Sequence, residues 1–436
     1  MKNNFKSTIS ILAFLLGSWF SAQDIRNITV DEALNLAVQN HQQLKISAKN
    51  IDISKQQTEV AKLQKLPTIT ASTSQFFLGN ALIINKDFSN STTLEMPHYG
   101  SSYAVQAQQL IFKGGLVNKS IEASQLKEQL AELDLEKDQQ NVKFLVVSNY
   151  LDIYKLINQT QVYKNNKKLA QERLKNIQKF YSQGMITRNE VIRAELAIKN
   201  LDQGILTLEN NRKILTYQLN YALGLPTDTE LMPVDDLNSN YTNESLTYFQ
   251  NLAKESHPSF RSAEKTIQLA DKNIEIINTD KMPTIAAFGG YNMQRPITTR
   301  VPVLDMYSNS WQSGVSISYN IDNLYKTKEK LKLGELQKSQ AAEALNLVDQ
   351  NLNIAVNAAF VKYQEAIQQS EIFNESKRLA SENYSITEAK YLNQLAVQAE
   401  MIDAQNQKLQ AELDFANSEI NVLYQYYNLL KTTGTL

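Results

Sequence analysis

Little in this 436-residue chain could do covalent chemistry. Its histidines are His41, His98 and His257, and it has no cysteine. Thiolate nucleophiles, disulfides, cysteine-based zinc sites and a lipid-modified N-terminal cysteine are thereby excluded. No P-loop, GxGxxG or HExxH motif occurs. His41 and His257 occupy the same place in an internal repeat, which suits packing or helix capping more than a ligand cluster. No catalysis and no cofactor is expected, so function must reside in the shape of the chain and the placing of its charges.

The charges themselves are balanced, 44 basic against 45 acidic, which gives no reason to expect a nucleic-acid partner or a polybasic membrane surface. At the N-terminus Lys2 and Lys6 precede the apolar run Ile9 to Phe20, followed by the small residues Ser21 and Ala22. This has the form of a secretory signal peptide over residues 1–22. A membrane anchor is the alternative, but the run is shorter than the roughly 20 residues that a spanning helix needs. Beyond it no comparably long apolar stretch occurs, so the exported chain is expected to be either soluble or a β-barrel.

Two repeats set the architecture. The segment Asn35-Leu36-Ala37, His41, Lys49, Ile51, Glu59, Lys65, Pro67-Thr68-Ile69, Ala71 recurs as Asn251-Leu252-Ala253, His257, Lys265, Ile267, Glu275, Lys281, Pro283-Thr284-Ile285, Ala287. Later positions pair at a slightly smaller offset, Tyr181 with Tyr391, Glu190 with Glu400 and Gly224 with Gly434. The expected repeats are residues 23–228 and 229–436, with a longer loop near residues 79–101 of the first. Each begins with a helix ended by proline, Pro67 or Pro283. Two strands follow, at Thr68 to Leu78 and Ser102 to Phe112, then at Thr284 to Gln294 and Trp311 to Ile321. A long helix comes next; Leu116 to Gln183 holds none of the chain's 13 glycines or 8 prolines. A turn at Gln183-Gly184, or Asn393-Gln394, leads into the last helix of each repeat.

The segment from Trp311 to Ile321 alternates, with Trp311, Val315, Ile317, Tyr319 and Ile321 on one face and Gln312, Ser316, Ser318 and Asn320 on the other. A lipid-facing wall with a watery interior has this pattern, and so does a sheet over a soluble core. The signal peptide and the aromatic strand ends favour the barrel. Four strands cannot close one, because the smallest membrane barrels have about eight. Oligomerisation is therefore expected, a homotrimer giving a 12-stranded barrel. A helix of this length reaches ~100 Å, and residues 40–66 and 187–223 placed end to end nearly match it. Two staves per repeat in three chains would make a 12-stave α-barrel.

With these elements in order, the whole mature chain resembles the TolC-type outer-membrane efflux proteins. The opening Thr29-Val30-Asp31-Glu32-Ala33-Leu34-Asn35-Leu36-Ala37 into Asn40-His41-Gln42-Gln43-Leu44 is similar to the family's start motif. The turn Tyr181-Ser182-Gln183-Gly184-Met185-Ile186-Thr187 is similar to its periplasmic tip. The resemblance implies a trimeric β-barrel in the outer membrane, continued by an α-helical tunnel into the periplasm. It further implies passive export, with a periplasmic adaptor and an inner-membrane pump of the RND or ABC type as partners. Carried over by position, Glu400 and Asp403 become the pore gate, Tyr391 and Glu190 a tip latch, and Gly184, Met185 and Thr187 adaptor contacts. Two departures stand out at the second turn: Gln394 replaces the usual glycine and Ala396 a basic latch residue. Long helices alone would also suit a structural coiled-coil surface protein, and the same channel fold serves type I protein secretion and metal-ion efflux.

Overall fold

The computed structural model describes residues 25–234 and 244–436. The signal peptide expected over residues 1–22 lies outside the described residues. In chain order the elements are β1 (Ile25–Ile28), α1 (Val30–Asn40), α2 (Gln42–Lys62), β2 (Thr68–Phe77), β3 (Ala81–Ile84), β4 (Ser91–Leu94) and β5 (Tyr99–Phe112). Then come α3 (Leu116–Ser182), α4 (Arg188–Leu223), β6 (Glu230–Pro233), α5 (Leu246–Ser256) and α6 (Pro258–Asn278). The chain ends with β7 (Thr284–Arg295), β8 (Ser308–Ser318), α7 (Asn323–Leu392) and α8 (Gln398–Thr433).

Local chemistry sets the boundaries. The Thr29 hydroxyl accepts from the Glu32 N–H at 3.2 Å and starts α1; Ser245 does the same for α5 through the Tyr248 N–H. His41 and His257 break the next helix from the last. Each imidazole Nδ1 accepts a backbone N–H two residues on, from Gln43 and Ser259, both at 3.2 Å. The capping reading of the histidine pair therefore describes what these side chains do. A 3₁₀ turn, Leu63–Lys65 or Thr279–Lys281, closes the helix before each proline. Gly334, the one glycine within α7, sits where a β-carbon would come within 3.0 Å of Ile274, so it permits α6 and α7 to approach closely.

The chain forms two compact units, each drawing on both repeats. The first, within Met1–Ala48, Leu133–Arg261 and Leu347–Leu436, is mainly helical. Its main core packs Val146, Tyr150, Leu151 and Ile153 of α3 against Leu219 and Leu223 of α4, Ala33 and Ala37 of α1, and Ile420 of α8. Each fully buried large aliphatic side chain there contributes roughly 1.5–3 kcal/mol. β1 and β6 pair in parallel, and the Tyr150 hydroxyl donates to the Ile28 carbonyl at 3.0 Å. A second core joins Phe249 and Ala253 of α5 to Val356 and Tyr363 of α7 and to Leu429 of α8.

The second unit, within Lys49–Glu132 and Ser262–Asn346, carries a four-stranded antiparallel sheet in the order β2-β5-β7-β8. Its register sorts the side chains. Tyr291 is opposite Trp311 and Val105, and Ile285 is opposite Ile317, which builds an apolar face continued by Ile69 and Tyr103. The other face carries Thr70, Ser72, Gln106, Gln108, Asn292, Ser310 and Gln312, none of them ionisable. β2 and β8 are the sheet's two edges.

The expected strand to Ile321 ends earlier, at Ser318, because the Asn320 carbonyl already accepts from Asn323 in the turn that starts α7. The long loop of the first repeat is not plain loop: β3 and β4 form a hairpin within it. Among the described residues no helix is long and apolar enough to cross a membrane.

Candidate functional site

The two inter-helix turns are built alike. After α3 the Met185 N–H donates to the Phe180 carbonyl at 2.9 Å; after α7 the Leu395 N–H donates to the Lys390 carbonyl at 2.8 Å. Such closure needs a left-handed residue, and Gly184 supplies it with φ 74°. Gln394 is forced into the same conformation, φ 62°, which a side chain disfavours. Gly184, Met185 and Thr187 are exposed at the first turn. At the second, Leu395 takes the place of Met185 and is 78% exposed. Leu395 was not singled out from sequence, although it follows Gln394 as Met185 follows Gly184 in the first repeat.

Beneath the turns Ile177, Val191, Ala194, Tyr384, Tyr391 and Met401 pack together. Polar groups are buried beside them. Arg173, only 8% exposed, donates through Nη2 to the Gln405 Oε1, while its Nη1 has no partner. Gln398 Nε2 donates to the Glu190 carbonyl at 2.7 Å, and its Oε1 is likewise unpaired. Burial pulls the Arg173 guanidinium below its ordinary value, opposed by Tyr384, Tyr391 and Glu388. Burial also raises the Tyr391 phenol, with the Glu190 carboxylate adding to the effect. The Tyr384 phenol, donating to Glu388 Oε1 at 3.0 Å, is pushed up to about 12 by burial first.

Tyr391 and Glu190 are thus close enough for their charges to interact, but the Tyr391 hydroxyl makes no hydrogen bond. The contact to Glu190 comes from Gln398 through the backbone. Arg173, Gln398 and Gln405 were missed from sequence. A signal was available: Gln159, Asn166 and Arg173 recur every seventh residue of α3 and reach α8 at Asn417, Glu412 and Gln405. The first two of these bonds are each 2.7 Å.

Glu400 and Asp403 lie on the exposed face of α8, opposite buried Gln398, Met401, Ala404 and Gln405. Their spacing of three places both carboxylates on one side. Asp403 Oδ2 accepts from Gln407 Nε2 at 2.7 Å, and Gln410 donates to Asp414 at 2.8 Å. The pair therefore begins a stripe of acids and amides running to Asp414. Among the described residues no group of three or more His, Asp or Glu side chains could hold a metal ion. The arrangement can attract or repel ions and hold two helical turns together.

The sequence pattern of a family described as outer membrane efflux protein matches residues 33–225 and 250–435. Over 434 residues the chain is 21% identical to the outer membrane efflux protein BepC of Brucella suis biovar 1, covering 99% of this chain and 91% of BepC. The outer-membrane channel OprN superposes with a TM-score of 0.75 at 13% identity, over 93% of this chain and 90% of OprN. The CmeC outer membrane channel of Campylobacter jejuni does so at 0.74 and 14%, over 93% and 85%. At these identities the superpositions show a shared fold.

Proposed function

The chain belongs to the outer membrane efflux protein family, and on that premise we propose that three copies form one hollow conduit for passive export. It is an outer-membrane channel that extends into the periplasm. The observation that carries the trimer is the sheet with one apolar face and two unpaired edges, β2 and β8. Open edges are intolerable in lipid, and four strands are too few to close. Pairing β2 of one copy with β8 of the next closes a 12-stranded barrel from three.

Exposed apolar seams support the helical counterpart. Ile46, Ile53 and Val60 on α2 stand seven residues apart, as do Leu347, Ile354 and Val361, and again Ile372, Leu379 and Ile386, on α7. Seven-residue spacing is what a packed helical neighbour requires. With these seams filled by adjacent copies, the helices form a 12-stave α-barrel. The Glu400 and Asp403 stripes then face the axis as a cation-attracting gate. Gln398 bonded to the Glu190 carbonyl and Arg173 bonded to Gln405 hold the turns of the tip together, with Tyr391 packed beside them. Gly184, Met185 and Thr187 at the first turn, and Leu395 at the second, meet a periplasmic adaptor, which links the conduit to an inner-membrane pump of the RND or ABC type. The substrate moves down the bore and no residue acts on it chemically.

Detergent-extracted membranes test this reading. A heat-modifiable trimer that forms conducting channels in planar bilayers is expected; recovery of the chain as a soluble periplasmic monomer would refute it.

A further inference from the structure

The chain's balanced charge is not evenly spread over the second unit. We propose that lysines at the helical end of the sheet form a collar that binds the phosphate headgroups of anionic phospholipids. This rests on the sheet's standing in the membrane, as proposed above.

In segments 62–66, 112–119, 279–282 and 322–332, where strands meet helices, nine lysines stand against three acids, Asp280, Asp322 and Glu329. At the opposite end, segments 78–98 and 295–307 carry Lys86, Arg295 and Arg300 against Asp87, Glu95 and Asp305. The strands between hold no charge except Arg295 at the end of β7. The excess is thus confined to one end.

Those junctions come together in space. Asp280 meets Lys330 at 2.8 Å and Lys113 at 3.8 Å, and its carbonyl accepts from Asn323 Nδ2 at 2.8 Å. Asp322 occupies Lys326 at 2.5 Å. Lys65, Lys281, Lys328 and Lys332 are exposed and pair with no carboxylate among the described residues.

Apolar side chains stand beside them: Leu66 is 60% exposed, Tyr325 is 65% exposed, and Met282 and Leu324 are exposed as well. An apolar residue next to a free ammonium, at the margin of an apolar sheet face, matches the boundary between acyl chains and phosphates. Both repeats use the same device, Lys65-Leu66-Pro67 and Lys281-Met282-Pro283, although most neighbouring positions have diverged. The occupant follows from continuity: a lipid whose tails cover the apolar face has its headgroup at this level.

The full chain is reconstituted in vesicles of phosphatidylcholine containing phosphatidylglycerol, and the lipids retained after extraction are measured. Phosphatidylglycerol should be enriched, and added sodium chloride should weaken the enrichment. K65Q/K281Q/K328Q/K332Q should reduce it by about fivefold per lysine removed. K164Q/K168Q/K199Q/K213Q, with the same change of charge on the helices, should keep it. Equal retention by the collar variant, or equal loss in the helix variant, overturns the proposal. So does loss of enrichment on adding inorganic phosphate at constant ionic strength, which would mark a free-anion site. A wild-type trimer that conducts without enrichment overturns the collar alone; a chain that never inserts overturns the membrane reading with it.

Discussion

Gly434 passes so close to His257 that a β-carbon on it would lie 2.7 Å from the histidine Cα. The first repeat has a corresponding contact one residue earlier, Gly224 against Asn40, the residue before His41, also 2.7 Å to the nearest side-chain atom. There the Asn40 amide donates to the Leu223 carbonyl at 3.0 Å. Both glycines are left-handed, with φ 78° and 70°. The last helix of each repeat thus ends on the helix break that opens it.

Substituting Gly434→Ala or Gly224→Ala should destabilise the protein by about 1–2 kcal/mol from backbone conformation alone, with the close contact adding to it. Thermal unfolding should move to lower temperature. An unchanged midpoint would sink this account of the helix ends.

The capping histidines predict an acid sensitivity. Each accepts through Nδ1, which needs a neutral ring, and burial lowers both pKa values, helped at His257 by Lys137 and Lys431. With folded values below the unfolded value of about 6.5, the unfolded chain takes up protons first. Stability is whole above that pH and falls as pH drops through it towards the folded values. Melting between about pH 7 and 5 should show this slope, and H41N/H257N, in which asparagine can still cap, should flatten it.

Gln394 holds a left-handed conformation that its counterpart Gly184 adopts freely. Gln394→Gly should relieve about 1 kcal/mol of local strain. Limited proteolysis between Tyr391 and Val397 should then slow by about fivefold; an equal or faster cut would contradict the strain.

Buried Arg173 depends on Gln405. Gln405→Leu alone should cost about 1–3 kcal/mol, since it strands a buried donor. R173M/Q405L should recover most of that loss, as an apolar replacement of a buried charge often does. Additive melting shifts in the double-mutant cycle would show that the two do not act together.

For the proposed gate, E400A/D403A should lower the cation preference of the channel and its block by cations in planar bilayers, with thermal stability unchanged. The same selectivity in the variant would reject the assignment of these carboxylates to the bore.

The elements that the sequence made legible were those with strong local signals. Glycine- and proline-free runs gave the long helices, prolines at matched positions gave the strand starts, and alternation from Trp311 gave the sheet's two faces. The β3–β4 hairpin and the β1–β6 pair were not legible. Leu82, Ile83 and Ile84 are consecutive apolar residues without alternation, and β1 finds its partner some 200 residues away, at Glu230–Pro233. In the candidate site the acids were visible as residues on one helix face. The buried polar seam left only the seven-residue recurrence of Gln159, Asn166 and Arg173 as a trace, because Arg173 and Gln405 are far apart in the chain and each alone reads as a solvated surface residue.

From sequence alone came the doubled plan and its turns, because periodicity, proline and glycine act over a few residues. Only the tertiary structure decided that Gln398, rather than Tyr391, bonds to Glu190, and that Arg173 is buried with one nitrogen unpaired. Such pairings depend on how the helices pack side by side, which fixes distances that no local rule specifies.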